Sequence, residues 1–178
     1  MIKYNGHANN VSVEQKEKES MAKTDKAPAF VRVGNIMTTT LLRAGFKFNG
    51  LGLKDHPAYL LTVRGRKSGQ PRTLPIVIIE QNGQRYLNSP FGMVNWVRNL
   101  QSAGEAILTR GRRSETVRAT QLPPREAALV LQEDLKNGNP FGRNFGVTAE
   151  SSLEEFERTV LTHPIFLLEK KESDGRDV

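Results

Sequence analysis

The stretch Tyr59-Leu-Leu-Thr-Val-Arg-Gly-Arg-Lys-Ser-Gly-Gln-Pro-Arg-Thr-Leu-Pro75 sets two short apolar runs on either side of a cationic turn. Ala58–Val63 and Leu74–Ile79 are β-branched and apolar over the length of a strand, so the chain is expected to cross a sheet, reverse and return. Gly65-Arg66-Lys67-Ser68-Gly69 makes the reversal, and Arg72 follows it. Glycines leave backbone N–H groups free to face an anion, while Lys and Arg add charge and charge-assisted hydrogen bonds. A ligand bearing a phosphate needs these features, although a merely solvated basic turn has the same composition. The turn is not a P-loop, because the G-x-x-x-x-G-K spacing and the helix after it are missing.

Hairpins continue downstream. Gln81-Asn82-Gly83-Gln84 has Asn-Gly at its centre, a strong reversal signal, and Arg85–Asn88 is expected to pair back. Met93–Ala103 reads as a short helix with Trp96 and Leu100 four residues apart. Ala106–Thr109, Gly111 and Glu115–Gln121 form a second hairpin. Pro123-Pro124 opens a helix to about Lys136, since proline is tolerated in a first turn. Asn139 to Gly146 reads as loop carrying two exposed-looking aromatics, Phe141 and Phe145. Ser151-Ser152 with Glu154 and Glu155 resembles a capping box over a helix to Val160, and Pro164–Leu168 is a last strand. Upstream, Phe30, Val33, Met37, Leu41 and Ala44 recur at helical steps over 29–47. That helix suits core packing, with contact to substrate or a membrane surface as the alternative. Residues 1–28 show neither period and are expected to be a disordered tail, with 29–170 as one domain and 171–178 as a C-terminal tail. Helices flanking a mainly antiparallel sheet, with no βαβ rhythm, predict an α+β barrel-like fold and argue against a Rossmann domain.

Bulk properties narrow the function. The 178 residues carry a net charge of +7, and residues 43–118 hold thirteen basic against four acidic side chains. That concentration suits capture of a small anion. No aromatics interleave with the basic run Arg110-Gly-Arg-Arg113, so nucleic-acid binding is not expected. No stretch approaches the roughly 18 apolar residues of a membrane span. With no secretory signal at the N-terminus, a cytoplasmic address is expected. The chain has no cysteine, which excludes disulfides and thiolate chemistry. The three histidines lack partners at metal-ligand spacing. No G-x-S-x-G elbow or Ser–His–Asp order is visible either. Protein-based catalysis is therefore not evident, which fits an enzyme whose cofactor carries the chemistry.

Gly65-Arg66-Lys67-Ser68-Gly69-x-x-Arg72-x-x-Pro75, followed by Trp96-x-x-Asn99-Leu100, resembles the deazaflavin-dependent nitroreductase family, split-β-barrel enzymes related to the FMN-binding barrels. The resemblance runs from about Pro28 to Leu168 and takes in Phe145–Phe156 and His163-Pro164. It implies an oxidoreductase using coenzyme F420, with FMN as the alternative cofactor and a small molecule as substrate. Arg66, Lys67, Ser68, Gly69 and Arg72 would meet the phosphate and acidic tail, with Pro75 against the ring system. Asn88, Ser89, Pro90, Phe91 and Gly92 would give backbone contacts to the deazaflavin edge. Trp96 and Asn99 would wall or anchor that loop, unless Trp96 is simply core. Acceptors would be enones or other activated alkenes, quinones or nitro compounds. Phe46, Phe141 and Phe145 are candidates for an apolar substrate wall, the last two equally for barrel plugs. Tyr59 and Tyr86 are candidate proton donors by residue type alone. A non-catalytic barrel holding a flavin, haem-like or lipid ligand is the reading from another class.

Overall fold

A computed structural model describes residues 56–139 and 141–172. The expected N-terminal tail, the 29–47 helix with Phe46, its membrane contact and most of the C-terminal tail lie outside them. Along the chain come β1 (Ala58–Arg64), β2 (Pro71–Val77), β3 (Ile79–Gln81), β4 (Gln84–Asn88) and α1 (Asn95–Ala103). Next are β5 (Glu105–Arg110), β6 (Arg113–Gln121), α2 (Pro124–Lys136), a 3-10 turn (Gly142–Phe145), α3 (Leu153–Val160) and β7 (Ile165–Lys170).

The strands form one sheet in the order β2-β1-β5-β6-β7-β4-β3, with every pairing antiparallel. β2 and β3 occupy opposite edges, yet a single residue, Ile78, joins them. Were the sheet flat, its edges would stand about 29 Å apart at about 4.8 Å per strand, whereas one residue reaches only about 3.5 Å. The sheet must therefore curl until its edges meet, which makes it a barrel. At the corner the Ile78 N–H donates to the Pro57 carbonyl at 3.0 Å, and the Ile78 side chain is fully buried. The single strand expected over Leu74–Ile79 is thus two. Its continuous apolar run reflects a corner buried against both neighbours, which a period-two reading cannot see.

Two cores lie on the two faces of this sheet. Leu61, Val63, Leu87, Leu108, Val117 and Phe166 fill the barrel, and Val97 and Leu100 of α1 pack onto them. On the outer face Ile79, Tyr86 and Ile165 pack against Leu131 of α2, Phe156 of α3 and Phe145. Alternate residues of β4 and β7 therefore serve different cores, because successive side chains in a strand point to opposite faces. Local signals place the ends of elements. Gln81 pairs with Gln84 and Asn82 and Gly83 take φ of 53° and 74°, as a two-residue type I′ turn requires. Ser152 and Glu155 close a reciprocal capping box over α3.

One buried polar cluster ties distant parts together. Asp134 of α2 accepts from His56 Nε2 at 2.7 Å and from Asn88 Nδ2 at 3.1 Å, and also from the Asn139 side chain. Asp134 and His56 are both almost wholly buried. Removing the acceptor strands two buried donors in a low-dielectric site. Asp134→Ala is therefore expected to lower the unfolding free energy by about 3 kcal/mol. A guanidinium titration giving a loss below about 1 kcal/mol, the size of an ordinary neutral hydrogen bond, would show that the cluster contributes little.

Candidate functional site

Antiparallel order brings the loops of interest to one end of the barrel. β1, β4 and β6 finish there, while β2, β5 and β7 begin there. The β1–β2 tip, the 89–94 loop with α1, and the turn before β7 consequently converge. The opposite end carries the Asn82-Gly83 and Gly111-Arg112 turns, with Arg85 and Glu115 paired nearby.

The Gly65–Gly69 tip is closed by its own backbone: Gly65 N–H donates to Gln70 O at 2.9 Å and Gly69 N–H to Gly65 O at 2.7 Å. A Cβ on Gly65 would stand 3.0 Å from Ser68 Oγ and 3.1 Å from Gln70 O, so only glycine lets the tip close this tightly. Arg66 folds back onto α1. Its backbone N–H and Nη1 donate to Asn99 Oδ1 at 3.2 and 3.0 Å, and Nη1 and Nη2 reach Asn95 Oδ1 at 3.4 and 3.3 Å. Both partners are neutral amides, so the guanidinium charge is held in place without being cancelled. Among the described residues, Arg66, Lys67 and Arg72 make no ion pair, and the backbone N–H groups of Lys67 and Ser68 bond to nothing. Residues 56–79 contain no Asp or Glu. Uncancelled cations, free N–H donors and a cradle that a Cβ would fill are suited to a polyanionic tail.

Beside the tip, the 89–92 loop is a closed turn. Gly92 N–H donates to Ser89 O at 3.1 Å and Ser89 Oγ donates to Gly92 O at 2.5 Å. With Ser89 occupied and the Asn88 side chain committed to Asp134, the loop presents main chain, Pro90 and Phe91. Phe91 is 61% exposed and meets the Phe141 ring edge-on at 6.2 Å. Trp96 is partly buried against the barrel core, and Pro75 lies on β2 opposite Leu60.

Several expectations change here. Asn99 holds the basic tip through Arg66 rather than the 88–92 loop. Phe145 is not an exposed aromatic: at 3% exposure it is part of the outer core against α2 and α3, so it neither faces a substrate nor plugs the barrel. Tyr59 belongs to the barrel interior, with the Arg110 guanidinium 5.4 Å from its ring centroid and Arg85 near its hydroxyl. Tyr86 points to the opposite core and donates to Gln84. Burial, then the Glu126 carboxylate, pushes its phenol above the ordinary tyrosine range. Neither tyrosine stands beside the basic tip. Asn95 was missed, although its four-residue step from Asn99 places both on one helix face. The described residues hold no cluster of His, Cys, Asp and Glu able to bind a metal, and no helix among them is long and apolar enough to cross a membrane.

The antiparallel sheet, curled so that one residue joins its two edge strands, defines a split barrel. The chain belongs to the F420H(2)-dependent quinone reductase family, whose model matches residues 36–141. It is thus an F420-dependent oxidoreductase. No curated protein matches the sequence. A solved structure described as a domain-swapped dimer is similar at 20% identity and a TM-score of 0.48, over 79% of this chain and 97% of that one. An F420-H2 dependent reductase is similar at 21% identity and a TM-score of 0.41, over 67% and 100%. A NimC/NimA family protein from Clostridium acetobutylicum is similar at 15% identity and a TM-score of 0.39, over 67% and 76%.

If neutral amides pre-position Arg66, removing one loosens the tip without changing its charge. Asn99→Ala is expected to weaken F420 binding about tenfold, about 1.4 kcal/mol, by the loss of a hydrogen bond to a charged group. Fluorescence titration measures it, and an unchanged dissociation constant would show that Arg66 needs no such support.

Proposed function

We propose that Arg66, Lys67, Ser68, Gly69 and Arg72 seat the phosphate and acidic tail of F420, with Pro75 and the Asn88–Gly92 loop along the ring system and Trp96 behind that loop. The observation that carries this reading is the group of cations at the β1–β2 tip with no carboxylate among the described residues paired to them. Bound reduced deazaflavin supplies a hydride; the protein's part is to fix the tail at the tip, hold the ring at the barrel end and present an acceptor beside it. Electron-poor acceptors match that chemistry: quinones, enones and other activated alkenes, or nitro compounds. The exposed Phe91 and the neighbouring Phe141 form the apolar surface on which such a planar acceptor would lie.

Lys67→Ala and Arg72→Ala are each expected to raise the F420 dissociation constant about 10- to 100-fold, about 1.5–3 kcal/mol for a charge-assisted contact. Titrations following Trp96 and cofactor emission, run in parallel with FMN, test the reading. Unchanged F420 affinity in both variants would remove the tip from the cofactor site. Saturable binding of FMN alone would replace the deazaflavin by a flavin.

A further inference from the structure

Beyond the span matched by the family model, the turn between α3 and β7 carries His163 to the same barrel end as the basic tip and the 89–92 loop. The half-buried ring stands edge-on to Phe145 at 5.5 Å and 60°. Gly92, at φ 70°, comes down onto this turn so closely that a Cβ there would lie 3.3 Å from the Thr162 carbonyl and 3.9 Å from His163 Nε2. The histidine therefore touches the loop next to Phe91.

Its hydrogen bonds define its tautomer. The Thr162 hydroxyl donates to the Thr159 carbonyl at 3.1 Å, and His163 Nδ1 lies 3.2 Å from that carbonyl and 3.0 Å from Thr162 Oγ1. A carbonyl oxygen only accepts, so the 3.2 Å contact with it assigns the ring hydrogen to Nδ1. Nε2 is then the open nitrogen, with no hydrogen-bond partner among the described residues. A ring fixed through one nitrogen, with the other left without a hydrogen-bond partner beside the 89–92 loop, is how an imidazole is held for proton transfer. The elements against it carry Glu154, Glu155, Glu157 and Arg158 on α3 and Arg143 on the 3-10 turn, while residues 89–94 carry no charge.

We propose that His163 is the proton donor to the reduced acceptor, acting through Nε2 beside the Phe91–Phe141 surface. This rests on the cofactor reading above and names a group that neither candidate tyrosine replaces. Two electrons reach the acceptor as hydride and leave an oxyanion on a quinone or enone. The Nε2–H bond of the protonated ring breaks, the new O–H bond forms, and water reprotonates Nε2. The substrate class this selects is an acceptor with a carbonyl-type oxygen that a donor can meet.

The test begins with the unloaded wild-type protein, in which long-range ¹H–¹⁵N correlation of the imidazole is expected to show the Nδ1–H tautomer when neutral. An Nε2–H tautomer overturns the proposal. His163→Gln retains a donor of similar reach that cannot exchange a proton, and His163→Phe retains the ring against Phe145. Both are expected to bind F420 as the wild type does. With F420H2 and a water-soluble benzoquinone, kcat should fall about 10²-fold. Unchanged kcat in both variants, or loss of F420 binding in both, overturns the role. If the wild type itself fails to bind F420, the cofactor reading falls and this proposal with it. If the wild type binds and turns over while the variants match it, only His163 is mistaken.

Discussion

One peptide link governs this molecule. Because Ile78 alone joins strands at opposite edges of a seven-stranded sheet, the sheet has no flat solution, and closure creates an inside and an outside with separate cores. The inside needs a lid, which α1 provides with Val97 and Leu100. The outside needs a cover, which α2 and α3 provide. Strand alternation then assigns every connecting loop to one end or the other, so the basic tip shares its end with α1, the Phe91 loop and the His163 turn as a result of topology alone.

Electrostatics at that end follows a simple division of labour. A carboxylate beside Arg66 would orient it more strongly but would also neutralise it, leaving less attraction for an anion. Amides orient without neutralising, and Asn95 and Asn99 take that part. At the far end of the barrel the chain pairs Arg85 with Glu115 instead. There the carboxylate, as hydrogen-bond acceptor first and opposite charge second, holds the Arg85 guanidinium above its usual range.

Much of the architecture was legible because its signals are local. Asn82-Gly83, Pro124 and the Ser152–Glu155 box each mark an element boundary through the conformation of one or two residues. The basic tip was legible as chemistry, because five consecutive residues carry it. What could not be read is what closure creates. Asp134 meets His56 and Asn88 across 78 and 46 residues of chain, and neither spacing means anything until the barrel forms. Phe145 looked exposed because its neighbours are Gly, Asn and Pro, yet the 3-10 turn rotates it into the core. The strand broken at Ile78 looked continuous because both of its halves are apolar and Ile76, Ile78 and Ile79 are all buried.

The sharing of β4 and β7 between two cores bears on how this chain can evolve. Leu87 and Phe166 face the barrel while their neighbours Tyr86 and Ile165 face the helices, so gain or loss of one residue within either strand exchanges the two sets of side chains. No local repacking absorbs that exchange, because the cores differ in shape and in what covers them. An inserted or deleted residue is therefore absorbed only in the loops, and three of those loops meet at the end that carries the basic tip. The strands tolerate no change of length, and the room for change lies in the loops at that end.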